Sequence, residues 1–116
     1  MTRRVVKNID FLELLQCSSK SERERLLAGA KSDQINAICD CIKNILLGNV
    51  EITSAQKSRL RPKKELLRKL ANKKTKTKDR KRLLIQHGGA GGLLPILLGT
   101  VGSSLISNIL PKIFPG

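Results

Sequence analysis

A chain of 116 residues has room for one small domain with flanking segments and excludes a large core. With 23 Lys and Arg against nine Asp and Glu it carries a formal net charge of +14, which repels itself unless anions neutralise it and so implies a polyanionic partner, nucleic acid or an anionic membrane. Two Phe with no Tyr or Trp argue against a platform that reads bases by stacking, and an odd count of three cysteines fits a reducing compartment better than a disulfide scaffold.

Met1-Thr2-Arg3-Arg4 leads into a charged amphipathic segment rather than a long apolar run, so no signal peptide is expected. Val5, Ile9 and Leu12, with Phe11 and Leu15 beside them, recur at helical spacing and predict a first helix over residues 5–17. Ser18-Ser19-Lys20-Ser21 interrupts it. Ser19 with Glu22, or Ser21 with Glu24, then has the spacing of a capping box, so a second, short helix is expected to run to about Ala30. The strongest periodicity lies in residues 32–47, where Ile35, Ile38, Cys39, Ile42, Ile45 and Leu46 mark one helical face and Gly48-Asn49 supplies a stop.

Val50 and Ile52 are expected to cover the bundle edge, and Thr53 with Gln56 has the capping-box spacing that opens a fourth helix. Pro62 lacks an amide hydrogen, so this helix either kinks or ends near Arg61 and restarts with Pro62 in its first turn. Leu60, Leu66, Leu67 and Leu70 carry an apolar stripe across that point. Residues 72–78 contain no apolar side chain and read as an exposed linker. A short helix, capped by Thr77 near Asp79, is expected through Leu83-Leu84-Ile85, ending at Gly88-Gly89. The glycines around Ala90 then form a hinge.

Residues 93–110 hold no charge and sit at the lower length limit for a membrane-spanning helix. Leu94, Leu97, Leu98, Val101, Leu105, Ile109 and Leu110 would cover much of that helix and contact membrane or a partner. Gly99, Ser103 and Ser107, spaced by four, form a small-residue row that lets helices approach closely. The resulting expectation is an all-α chain of four or five short helices. Residues 5–73 would form the helical domain, 74–89 a basic linker and hinge, and 90–116 a separate apolar C-terminal helix.

The chemistry is concentrated in residues 57–82. Lys57, Arg59, Arg61, Lys63, Lys64, Arg68, Lys69, Lys73, Lys74, Lys76, Lys78, Arg80, Lys81 and Arg82 face only Glu65 and Asp79 there, so this block carries +12 of the +14. These fourteen are the candidate phosphate contacts. No catalytic constellation competes with them. Cys39-Asp40-Cys41 lacks a second ligand pair, and residues two apart on a helix point to nearly opposite sides, so no metal site is expected. His87 is the one histidine and has no nucleophile or ligand partner in the pattern. The Gly88-Gly89-Ala90-Gly91-Gly92 run lacks the Gly-Lys-Ser/Thr of a phosphate loop. Neither enzymatic activity nor a cofactor is expected.

Lys81-Arg82, Gly88-Gly89, Leu94-Pro95-Ile96-Leu97-Leu98-Gly99 and Val101-Gly102 together resemble the precursor of the small adenovirus core protein X, also called mu, and similar proteins of adenovirus-like Polinton (Maverick, adintovirus) elements. That resemblance covers residues 57–110 by pattern. It implies a virion core protein that condenses double-stranded DNA, located in the virion core or host nucleus. Precursors of that family are cut by a viral cysteine protease after a glycine-containing motif. His87 stands where that motif has glycine, so cleavage near Gly88-Gly89 stays open, and this block is mainly Lys where the family's is Arg-rich, with the same phosphate chemistry.

The first expectation is therefore non-specific binding of double-stranded DNA through the Lys/Arg block, with an apolar tail for capsid, membrane or self-association. A membrane-active or tail-anchored protein at an intracellular membrane, and a protein–protein assembly adaptor, are the alternatives.

Overall fold

The first predicted helix is broken by one side chain. In the computed structural model, which describes residues 3–48 and 52–87, helix α1 (Arg3–Lys7) and helix α2 (Ile9–Cys17) meet at Asn8. The Asn8 amide nitrogen Nδ2 donates to the Arg4 carbonyl and to Asp33 Oδ2, each at 2.8 Å. A local side-chain bond of this kind offers the backbone an alternative to the helical ladder, and Asn8 leaves the helical basin at φ −105° and ψ 21°.

The remaining boundaries follow from caps and breakers. Helix α3 (Lys20–Ala28) starts where the Ser19 hydroxyl accepts from the Glu22 amide at 3.3 Å, the first of the two capping choices. Helix α4 (Ser32–Leu46) begins with Gln34 Oε1 accepting from the Lys31 amide at 2.8 Å and stops at Gly48, whose φ of +78° is the left-handed conformation glycine adopts without strain. Helix α5 (Ser54–Leu60) carries the full expected box: Thr53 Oγ1 accepts from the Gln56 amide at 3.1 Å and Gln56 Oε1 from the Thr53 amide at 2.8 Å. At Pro62 the chain tightens into a 3₁₀ turn (Arg61–Lys63) and continues as helix α6 (Lys64–Ala71). Helix α7 (Thr77–His87) follows. The described residues thus hold seven α-helices and no strand.

Helix α4 is the centre of the bundle, with α1, α6 and α7 packed around it. Its predicted face is buried at Ile35, Ile38, Cys39, Ile42 and Ile45, while Leu46 stays exposed at the helix end. Ala37 and Cys41, off that stripe, are fully buried as well, because a helix surrounded by others must be apolar on more than one side. Val5, Leu12, Leu15, Leu27, Leu60, Leu67, Leu70, Leu83 and Leu84 complete the core, and Ile52 packs against it.

Helix α7, which follows the domain boundary expected at residue 73, packs on the bundle. Leu84 is fully buried and Leu83 nearly so, and the helix packs against α3 and α4. Burying a leucine contributes about 1.5–3 kcal/mol, enough for two of them to dock a helix that otherwise carries Lys and Arg. The expected linker is a tied turn as well: Asn72 Oδ1 accepts from the Lys74 amide at 2.9 Å, and the Thr75 hydroxyl donates to the Lys69 carbonyl at 2.7 Å. Val50, the Gly88-Gly89 hinge and the apolar helix of residues 93–110 lie outside the described residues.

Candidate nucleic-acid interface

The period of α6 decides which way its charges face. Leu67 and Leu70 are buried and Leu66 partly so, which turns Lys64, Glu65, Arg68 and Lys69 to solvent. Upstream, Lys57 and Arg59 on α5 and Arg61 in the 3₁₀ turn are exposed, and Lys63 is half-buried. Downstream, Lys73, Lys74 and Lys76 project from the turn after α6, and Lys78 from the first turn of α7. The block is therefore carried by folded elements and the tied turn between them.

Four of the fourteen cations are engaged by the protein itself. Arg68 Nη1 pairs with Glu65 Oε1 at 3.4 Å and Arg82 Nη2 with Asp79 Oδ1 at 3.3 Å, both at the surface. Arg80 is half-buried and holds α7 in place: Nη1 donates to Asn36 Oδ1 on α4 at 2.9 Å, and Nη2 to the Asn72 carbonyl at 2.8 Å. Its Nε is buried without a hydrogen-bond partner among the described residues. Lys81 Nζ donates to the Ala30 carbonyl at 3.1 Å, across the α3–α4 connection. The Thr77 hydroxyl, expected as a cap, instead reaches Asn36 Oδ1 at 3.4 Å. The other ten side chains, Lys57, Arg59, Arg61, Lys63, Lys64, Lys69, Lys73, Lys74, Lys76 and Lys78, make no hydrogen bond or ion pair among the described residues.

Where α4, the 72–76 turn and the start of α7 converge there is an open cleft of about 430 Å³. Asn36, Cys39, Asp40 and Lys43 line it from α4, Arg4 from α1, Ala71 from α6, Lys73, Thr75 and Lys76 from the turn, and Thr77 and Arg80 from α7. Arg4 and Lys43 belong to no charge block, and Asn36 to no motif. Asn36, Asp40 and Lys43 at helical spacing do mark a polar edge on an otherwise apolar helix, but which segment faces that edge is set by the packing of α7.

Cys39 and Cys41, two residues apart on α4, are both buried, and burial pushes both thiols up to about 12, whereas Cys17 is exposed. The tail residues Leu94, Leu97, Leu98, Val101, Leu105, Ile109 and Leu110 lie outside the described residues. Among the described residues no helix is long and apolar enough to cross a membrane. No family model, no curated protein and no solved structure matches this chain.

Proposed function

We propose that the chain binds double-stranded DNA without sequence preference, as a non-enzymatic core component of a virus-like particle, through the basic surface running from α5 over α6 and the 72–76 turn to the start of α7. The observation that carries this reading is that ten of the fourteen cations in that surface have no protein partner among the described residues. Unpaired lysines and arginines on a folded surface are free to replace the counterions condensed on phosphates, and releasing those ions drives association. Such contacts position a protein on the duplex and carry no sequence information. The resemblance of Lys81-Arg82, Gly88-Gly89 and the Leu94-Pro95 segment to adenovirus core protein X precursors supports the virion setting. Residues 90–116, read as a separate apolar helix, would attach the protein to the capsid interior, another copy or a membrane.

Fluorescence anisotropy of the full chain on two unrelated duplex sequences, across a salt titration, tests this. Roughly six to ten phosphates neutralised would weaken binding about a thousandfold to a hundred-thousandfold between low and moderate salt, equally for both sequences. Weak DNA binding of shallow salt dependence, with attachment to anionic liposomes that survives high salt, would replace this reading by membrane insertion.

A further inference from the structure

The cleft between α4 and the start of α7 is chemically distinct from the open basic surface. Five cations, Arg4, Lys43, Lys73, Lys76 and Arg80, line it against one carboxylate, Asp40. That carboxylate is already met by Arg4 Nη1 at 3.4 Å. Lys43, Lys73 and Lys76 have no partner among the described residues. Like charges gathered in one concavity repel each other and focus an attractive field on any anion that enters. Asn36, Thr75 and Thr77 add uncharged polar groups to the wall, and among the described residues no aromatic side chain lines it. The eleven-residue helix α7 also directs its N-terminal end here, with Thr77 in the wall. A volume of about 430 Å³ falls within the range of about 300–1,000 Å³ usual for small-ligand sites.

We propose that this cleft binds a compact oligophosphate, either free or as the phosphate chain of a nucleotide, and that it recognises the phosphates and not the base. The geometry favours such a ligand over a duplex: the cations converge from four segments onto one concavity, whereas a DNA backbone presents its phosphates along a line. This inference goes beyond DNA binding and stands whether or not the open surface engages a duplex. Occupation relieves the repulsion among the five cations, so the ligand stabilises the folded chain.

The test is an amide-resolved NMR titration of the full chain with sodium tripolyphosphate and, in parallel, ATP. Saturable shifts are expected at Asn36, Asp40, Thr75 and Thr77, with the two ligands binding within about threefold of each other, since nothing in the wall stacks on a base. Lys73→Gln with Lys76→Gln, both at exposed turn positions, is expected to weaken tripolyphosphate at least tenfold. Lys57→Gln with Lys64→Gln, on the open surface, is expected to change it less than twofold. Shifts spread evenly over all basic segments, equal losses in both double variants, or ATP binding without tripolyphosphate binding would each overturn the proposal. The wild-type shift map decides the matter even if a variant fails to fold. Duplex binding of the same samples separates the two readings: loss of DNA affinity in the Lys57/Lys64 variant with tripolyphosphate retained shows that the cleft binds without the α5–α6 face, although Lys73 and Lys76 belong to both.

Discussion

Arg80 and Asn36 are 44 residues apart in sequence, yet the Arg80 guanidinium donates to the Asn36 side-chain oxygen at 2.9 Å and so joins the start of α7 to the central helix. A residue counted by charge alone as a phosphate contact is therefore part of the scaffold. Arg80→Ala removes this bond and the one to the Asn72 carbonyl. Hydrogen bonds from a charged donor contribute about 1.5–3 kcal/mol, and at a half-buried site the lower end applies. Urea unfolding is expected to show a loss of about 1–3 kcal/mol for Arg80→Ala and less than about 0.5 kcal/mol for Lys78→Ala, whose side chain is exposed. Equal stability of the two variants would place Arg80 on the surface after all.

Leu84 tests whether α7 belongs to the folded unit. Its side chain is fully buried, so Leu84→Ala is expected to cost about 2–5 kcal/mol through lost burial and the cavity left behind. If residues 74–87 were a linker, the same substitution would leave the urea midpoint where it is.

What could be read from the residues was local. The stop at Gly48, the box between Thr53 and Gln56 and the break at Pro62 each depend on residues within a few positions, and each stands where spacing puts it. The break at Asn8 was not legible, because half of its cause is Asp33, in another helix. The docking of α7 escaped for a related reason. Eight of its eleven residues are polar or charged and only Leu83-Leu84-Ile85 is apolar, so this short stretch looks weak until a partner surface is known. Among the cations, sequence shows the block but not its division: Arg80 and Lys81 turn toward Asn36 and Ala30, and Arg4 and Lys43 join Lys73 and Lys76 in the cleft, only once the chain is folded.

The thiols divide in the same way. Cys17 is exposed, while burial pushes the Cys39 and Cys41 thiols up to about 12 and leaves almost no thiolate near neutrality. Iodoacetamide at pH 8 is expected to label Cys17 quickly and the other two only at the rate of unfolding, with all three labelled at once in guanidinium; intact mass reports the count. Because both folded values lie above the ordinary 9.0, their contribution to stability is complete below about pH 9 and is lost as pH rises toward 12. Rapid native labelling at Cys39 or Cys41 would contradict the packing of α4.

Asp33 sets the opposite sign at acid pH. Donation from Asn8 holds its carboxyl below the usual carboxylate range, with Lys7 and Arg4 adding to the effect against partial desolvation. A depressed folded value gives stability that is present above the unfolded pKa of about 3.9 and is lost as pH falls through the lower folded value. Resonances of α1 are therefore expected to shift toward coil values below about pH 4 before those of α4 do, and Asp33→Asn to abolish that early step. Simultaneous loss of both helices in the wild type would mean that Val5 and the Arg4–Asp40 pair hold α1 without Asp33.

Glu65 offers a gain of function rather than a loss. Its carboxylate pairs with Arg68 at 3.4 Å on the outward side of α6, where both side chains are largely exposed. An exposed pair of this kind contributes only about 0–1 kcal/mol to stability, so Glu65→Gln should fold as the wild type does. The substitution frees Arg68 for a phosphate and removes a repulsive charge from the interface. Duplex affinity at low salt is expected to rise severalfold, and the slope of log affinity against log salt to steepen by about one. Asp79→Asn frees Arg82 in the same way, but it also removes an acidic group from the first turn of α7, where it favours the helix by about 0.3–1 kcal/mol, so Glu65 is the cleaner probe. Lys20→Gln, on α3 and outside the basic block, serves as the control and should leave the slope unchanged. If Glu65→Gln leaves affinity and slope as they were, the outward side of α6 does not meet the duplex, and the DNA surface must be sought in the 72–76 turn and α7 alone.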